Sequence, residues 1–293
     1  MFFGLNFAWH WSPITLAGLV ILSLLYFFAI TRARRDNPRE KPLPTRRVVS
    51  FIVAILVIAL LLLTPVDTIA RTQLFFAHMF QSVTLITVCA PLLLYACPPW
   101  LIQPLFAKPL VRPIASFLTQ PVIASMIFNL TFLLWHAPLL FNFALKNGTF
   151  YHVEMLSILF TSLLSWWPII GPVRDLHRMT YPQQMLYAFL DGQAVDIFAF
   201  LLVFSFVVIY PQYAVPSQLG ISAFADQAAG GALLLLPGLV DLGVMSPMFF
   251  RWLGQLETRA KIADQRRQEE EDAILEEEEV EMIEKKSQAS FEK

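Results

Sequence analysis

Seven stretches of mainly apolar residues, each long enough to cross about 30 Å of hydrocarbon as a helix, alternate with short polar segments along the chain. They run approximately over 12–30, 48–64, 73–96, 114–138, 151–170, 183–210 and 222–250. A bilayer core offers no water to backbone N–H and C=O groups, so apolar runs of this length predict membrane-spanning α-helices. The expectation is an all-α, polytopic membrane protein with seven transmembrane helices in residues 1–253 and an acidic, charged tail in 254–293. The first run has no basic residue before it and is followed at once by Arg32, Arg34 and Arg35, the pattern of a retained helix rather than a cleaved signal peptide.

Composition supports this and narrows it. Of 293 residues 57% are apolar and 15% charged, against about 45–50% and about 25% in ordinary soluble domains. The first 250 residues hold 22 charged side chains and the last 43 hold 21, so the net charge of -1 is a cancellation of +4 and -5. So few charges cannot cover a soluble globule or bind nucleic acid, and two cysteines cannot make a disulfide scaffold. The tail has helix-forming residues without a sustained heptad, the composition of a solvated helix.

Loop charges assign an orientation. Arg32, Arg34, Arg35, Arg39, Lys41, Arg46 and Arg47 lie between helices 1 and 2, Lys108 and Arg112 between 3 and 4, Arg174 and Arg178 between 5 and 6, and eight more basic residues in the tail. Only Arg71 and Lys146 fall in the opposite loops. Basic loops are retained in the cytoplasm, which predicts the N-terminus outside and the C-terminus inside. Trp9, Trp11 and Trp135 then fall near outer helix ends and Trp100, Trp166, Trp167 and Trp252 near inner ends, as in an interfacial aromatic belt.

In that frame three of the five histidines gather. His78, His136 and His152 fall in the outer quarter of the membrane on consecutive helices, while His10 precedes helix 1 and His177 is cytoplasmic. Ionisable groups inside a bilayer are costly and face a site or a partner. His78, Gln81, Ser82, Leu85 and Cys89 share one helical stripe, Asn129 lies two turns below His136, and Met155 is three residues past His152. The candidate ligands are His78, His136, His152, Met79 and Met155, with Gln81, Asn129 and Asp226 as residues that orient them. Imidazole with thioether suits Cu(I), three imidazoles suit zinc, and an imidazole pair suits haem.

Other readings stay open at this point. A zinc hydrolase with Asp226 or Glu154 as general base, a bis-histidine haem protein, and a transporter or scaffold whose polar residues only join helices each use the same residues. Glu154 and Asp226 also fit helix starts, where free N–H groups stabilise a carboxylate, and Asp191, Asp196 and Asp241 lie deeper. Cys89 and Cys97 are eight residues apart, roughly 12 Å along a helix, too far for a disulfide. They read as reduced packing residues, and Gly230-Gly231 as a site of close helix approach.

Several short motifs resemble the CtaG-type assembly factors of bacterial caa(3)-type cytochrome c oxidases. They are Ala77-His78-Met79-Phe80-Gln81 followed by Ala90-Pro91-Leu92-Leu93; Trp135-His136-Ala137-Pro138; His152 followed by Trp166-Trp167-Pro168; and Asp226-Gln227 with Gly230-Gly231. The likeness covers roughly 73–236 and departs at Ser82 and Leu156, where the family pattern usually carries histidine. The resemblance implies a non-enzymatic protein of the bacterial cell membrane whose partners are cytochrome c oxidase subunits. It also implies delivery or insertion of copper on the outer side.

Overall fold

The computed structural model describes residues 4–9, 12–36, 43–173, 176 and 179–291, which form helices and turns without a strand. Trp11, Arg39, Lys41, Arg174 and Arg178 lie outside the described residues. Two long apolar helices open the chain, α1 (Pro13–Asp36) and α2 (Thr45–Leu63), followed by the short α3 (Pro65–Thr72). Next, α4 (Phe75–Thr84) runs through one π-helical turn, Leu85–Cys89, into α5 (Ala90–Ala96). Then come α6 (Pro99–Phe106), α7 (Val111–Leu118), α8 (Pro121–Trp135), α9 (Pro138–Lys146) and α10 (Gly148–Ile170). The remaining helices are α11 (Tyr181–Asp191), α12 (Gln193–Phe204), α13 (Ala223–Leu233) and α14 (Leu236–Phe291).

Proline sets several of these boundaries. Pro65, Pro99, Pro121 and Pro138 open α3, α6, α8 and α9, where a missing N–H costs nothing and the ring has pre-set φ. Each also forces the preceding residue out of the helical region. Gln120 is extended at φ -60°, ψ 131° for this reason, and α7 and α8 meet at a 70° bend where one straight span over 114–138 was expected. Six stretches among the described residues are long and apolar enough to cross a membrane, and the bent pair makes a seventh when taken as one span.

The sorting of side chains fits a bilayer. On α2, Phe51, Ala54, Ile58, Leu61 and Leu62 are buried at steps of three and four, while Ile52, Leu56 and Leu60 on the other face are exposed. A helix apolar on all sides and buried on only one belongs in lipid, and the chain is a membrane protein.

The chain divides into two compact units, Met1–Met245 and Ser246–Lys293. In the second, side chains from Arg251 to Glu277 are mostly exposed, as a charged helical segment in water requires.

In the first unit α4 is enclosed by α3, α10 and α13, with α5 against α2 and α10. Close approach of α13 depends on its glycines. A Cβ on Gly230 would stand 2.6 Å from Phe75 Cδ1 on α4, and one on Gly231 would stand 2.8 Å from Leu202 Cβ on α12. The π-helical turn has its own partner, since Trp166 Nε1–H donates to Ile86 O at 2.8 Å. Trp166 is therefore a buried tie between α10 and this turn, and Trp135 Nε1–H likewise donates to Ser157 Oγ at 2.8 Å. Both indole N–H groups are thus satisfied within the protein.

Candidate metal centre

His78 is carried on the first turn of α4, whose start is fixed from another helix. Asp226, on α13, accepts the backbone N–H of Phe75 at 2.7 Å and of Phe76 at 3.2 Å with its two carboxylate oxygens. The sequence reading placed Asp226 beside a histidine or on its own helix start. Instead its oxygens cap the helix that bears His78, since a free N-terminal turn offers N–H donors that a neighbouring carboxylate can take. Its neighbour Gln227 accepts Ile209 N–H and donates to Val207 O.

A hydrogen-bond chain determines the tautomer of His78. Gln81 Nε2–H donates to Leu61 O at 2.6 Å, so the amide oxygen faces Tyr151. That oxygen can only accept, and Tyr151 Oη–H donates to it at 2.5 Å. The tyrosine has no further proton to give, so its oxygen accepts from His78 Nδ1–H at 3.1 Å. Nε2 of His78 is left with its lone pair. Gln81 thus orients the His78 ring through Tyr151, a residue that the sequence reading passed over.

His136 reaches the same state by a local route. It follows the last residue of α8, and Ala137 is extended (ψ 129°) ahead of Pro138. Its Nδ1–H donates to Phe132 O at 2.8 Å, a carbonyl in the last turn of the helix, so its Nε2 also keeps a lone pair. Tyr210 Oη–H holds His136 O at 2.6 Å, and the Phe132 ring stacks on the imidazole at 4.1 Å.

The two bare nitrogens face each other at 3.2 Å. Glu154 Oε1 lies 3.5 Å from His78 Nε2, and ligand atoms from His78, His136 and Glu154 all fall within 4.8 Å of one another. His78 and Glu154 are fully buried and His136 is 1% exposed. Neither oxygen of Glu154 has a hydrogen-bond partner. Two lone pairs and a carboxylate without a hydrogen-bond partner, gathered away from water, form a donor set that a cation would satisfy.

Of the other expected ligands, His152 is not part of this group. Its Nδ1–H donates to Gly148 O at 2.6 Å, and its Nε2 faces Leu62 O at 3.4 Å and Asp67 Oδ1 at 3.6 Å. The reason is helical phase. Tyr151, Glu154, Met155 and Ile158 repeat at three, four and seven and are fully buried, whereas His152 is about 100° around the helix. Met79 is buried with its Cγ toward Gly230 of α13, and Met155 is buried on the Glu154 face. Asn129 donates to Ser125 O and Asp191 O, each at 2.9 Å, joining α8 to the end of α11 rather than orienting His136. His10 and His177 lie outside the described residues.

A second polar region lies around Gly192, where Asp191, Asp196 and Asp241 border a cavity of about 40 Å³. Ser165 Oγ–H donates to Asp191 Oδ2 at 2.5 Å. Cys89 and Cys97 are both free. Burial pushes the Cys97 thiol up to about 11, against the opposing pull of the Arg47 guanidinium.

The geometry separates the chemistries the sequence left open. A porphyrin has no room between two nitrogens 3.2 Å apart. Of the two acids the sequence offered as general base for a hydrolytic zinc centre, Asp226 has both oxygens engaged by backbone N–H groups and Glu154 is within the ligand group itself. No curated protein and no solved structure matches the chain. The family model described as cytochrome c oxidase caa3 assembly factor (Caa3_CtaG) matches residues 24–255, which contain every residue of the centre. With most of its length matched, the chain belongs to the caa3-type cytochrome c oxidase assembly factors.

Proposed function

We propose that this assembly factor handles copper for the oxidase, receiving it at the His78–His136–Glu154 centre on the outer side of the bacterial cell membrane and passing it to an oxidase subunit. The observation that carries the reading is the pair of bare Nε2 atoms 3.2 Å apart. Each is left with its lone pair free for a ligand because the other nitrogen of its ring is committed to a hydrogen bond.

The side of the membrane follows from the basic loops. With the residues around Arg32–Arg47 and the tail in the cytoplasm, the starts of α4 and α10 and the end of α8 come to the outer side. Copper is cargo here, and the protein's work is to bind, orient and release it. Three protein ligands leave a position free, which is how a receiving group on a partner can join the ion before the donor lets go. No bond is made or broken in a substrate, so the role is that of a carrier and docking factor rather than an enzyme.

The test is replacement of His78 and His136 by alanine in the native gene, with the amount of membrane-inserted protein matched to wild type. The expected result is loss of caa3-type oxidase activity with other oxidases retained. Purified protein that takes up no metal, together with intact oxidase activity in the double variant, would overturn the reading.

A further inference from the structure

We infer that the centre takes its metal as a divalent ion, Cu(II) in the copper-carrying role, bound by Nε2 of His78, Nε2 of His136 and the carboxylate of Glu154. This rests on the copper reading above and goes beyond it in ligand set, charge and coordination geometry.

The donor atoms argue first. Two imidazole nitrogens and a carboxylate oxygen converge, with no cysteine sulfur among them. Soft thiolate and thioether donors select Cu(I), whereas imidazole with carboxylate suits divalent ions. Met79 was the thioether expected nearest to His78, and its Cγ lies toward Gly230, 3.3 Å from where a Cβ there would stand. Cys89 closes the π-helical turn and Cys97 follows Ala96, both farther along the same span than His78.

The angles argue second. At a metal–nitrogen distance of about 2.0–2.1 Å, adjacent ligands of a tetrahedral ion are about 3.3–3.4 Å apart. The observed separations of 3.2 Å between the two Nε2 atoms and 3.5 Å between His78 Nε2 and Glu154 Oε1 straddle that edge. They place the two imidazoles at roughly 100° about a common ion rather than opposite one another, on the same metal–ligand length. Two-coordinate Cu(I) prefers its ligands nearly opposite. A four-coordinate divalent ion, tetrahedral for Zn(II) and flattened toward tetragonal for Cu(II), accepts this angle and has one position left over.

Charge argues third. Glu154 is fully buried with neither oxygen hydrogen-bonded, a setting that disfavours an ionised carboxylate until a cation sits beside it. A dication over two neutral imidazoles and one carboxylate leaves one positive charge and an open position. An anionic donor on the receiving subunit is the group that completes both.

The full chain, purified in detergent, is equilibrated in separate samples with Cu(II), with Zn(II), and with Cu(I) under a reductant and a Cu(I) chelator. Bound metal is counted, and the Cu(II) sample is examined by electron paramagnetic resonance. The inference expects one Cu(II) with nitrogen couplings from two imidazoles, one Zn(II) competing with it, and Cu(I) lost to the chelator. Glu154→Gln keeps side-chain size and is expected to weaken Cu(II) and Zn(II) by more than the roughly 10–100-fold that loss of an outer hydrogen-bond partner costs.

Tight Cu(I) binding with no retained Cu(II) would overturn the inference and leave the copper reading standing. One Zn(II) without copper would uphold the divalent ligand set and overturn the copper cargo. Failure of all three ions to bind would overturn both, and wild-type Cu(II) affinity in Glu154→Gln would remove Glu154 from the site.

Discussion

Tyr151 Oη lies 3.1 Å from His78 Nδ1, and because its only proton goes to Gln81 Oε1 it can do nothing there but accept. One phenol therefore decides which nitrogen of His78 is free for a ligand. Tyr151→Phe is expected to weaken metal binding by about 10–100-fold, the usual cost of losing such a partner. Leaving Gln81 Oε1 and His78 Nδ1–H without a partner in a buried site is expected to cost a further ~1–3 kcal/mol of stability. Metal titration and thermal unfolding of the purified variant check both numbers. Unchanged affinity would show that the chain from Leu61 to His78 does not orient the ligand.

Asp226 gives a second expectation. Asp226→Asn turns one acceptor into a donor facing a backbone N–H of α4, and removes the charge that favours a helix start. A loss of about 1–2 kcal/mol is expected, as for a lost helix cap. Metal affinity should fall as well, because His78 sits three residues beyond Phe75. Hydrogen exchange localised to the start of α4, measured beside metal affinity, separates this from a general loss of folding.

Gly230 tests the packing that brings α13 to α4. Gly230→Ala puts a methyl group within 2.6 Å of Phe75 Cδ1, and both helices are otherwise closely packed there. Overpacking of this kind typically costs about 1–3 kcal/mol. Gly254→Ala is the control, as nothing lies within 4 Å of the added carbon. The melting temperature should drop in the first variant and hold or rise in the second.

Cys97 should be a slow nucleophile. With its thiol raised to about 11 by burial, only about one molecule in a thousand is thiolate at pH 8. Alkylation by iodoacetamide in folded protein is expected to be slow at pH 8 and to accelerate as pH rises toward 11. Modification at pH 8 as fast as in a free peptide would show that the thiol is not held protonated.

Much of this architecture is legible in the chain. The stripe His78, Gln81, Ser82, Leu85 and Cys89 is fully buried as the helical period requires, and it stays so through the π-helical turn. His78 and His136 meet because both lie one turn or less from helix ends that share a depth. His152 has the same expected depth but another helix face, and depth was the only coordinate that loop charges supplied. Glu154 was within reach of the same periodicity, since Tyr151, Glu154, Met155 and Ile158 form one repeat. A carboxylate near a helix start also fits a cap, and that reading hid it. Asp226 shows the converse, a cap for a helix other than its own, which no local pattern encodes. The α7–α8 bend was announced by Pro121, but an apolar run reads the same whether straight or broken.

Copper carriage to the oxidase by His78 and His136 is open to direct test. It is tested most directly by the copper content of the caa3-type oxidase purified from cells bearing His78→Ala and His136→Ala at matched levels of the assembly factor. Oxidase polypeptides deficient in copper, with activity returning on wild-type expression, are the predicted result. A fully loaded, fully active oxidase from the double variant would contradict it.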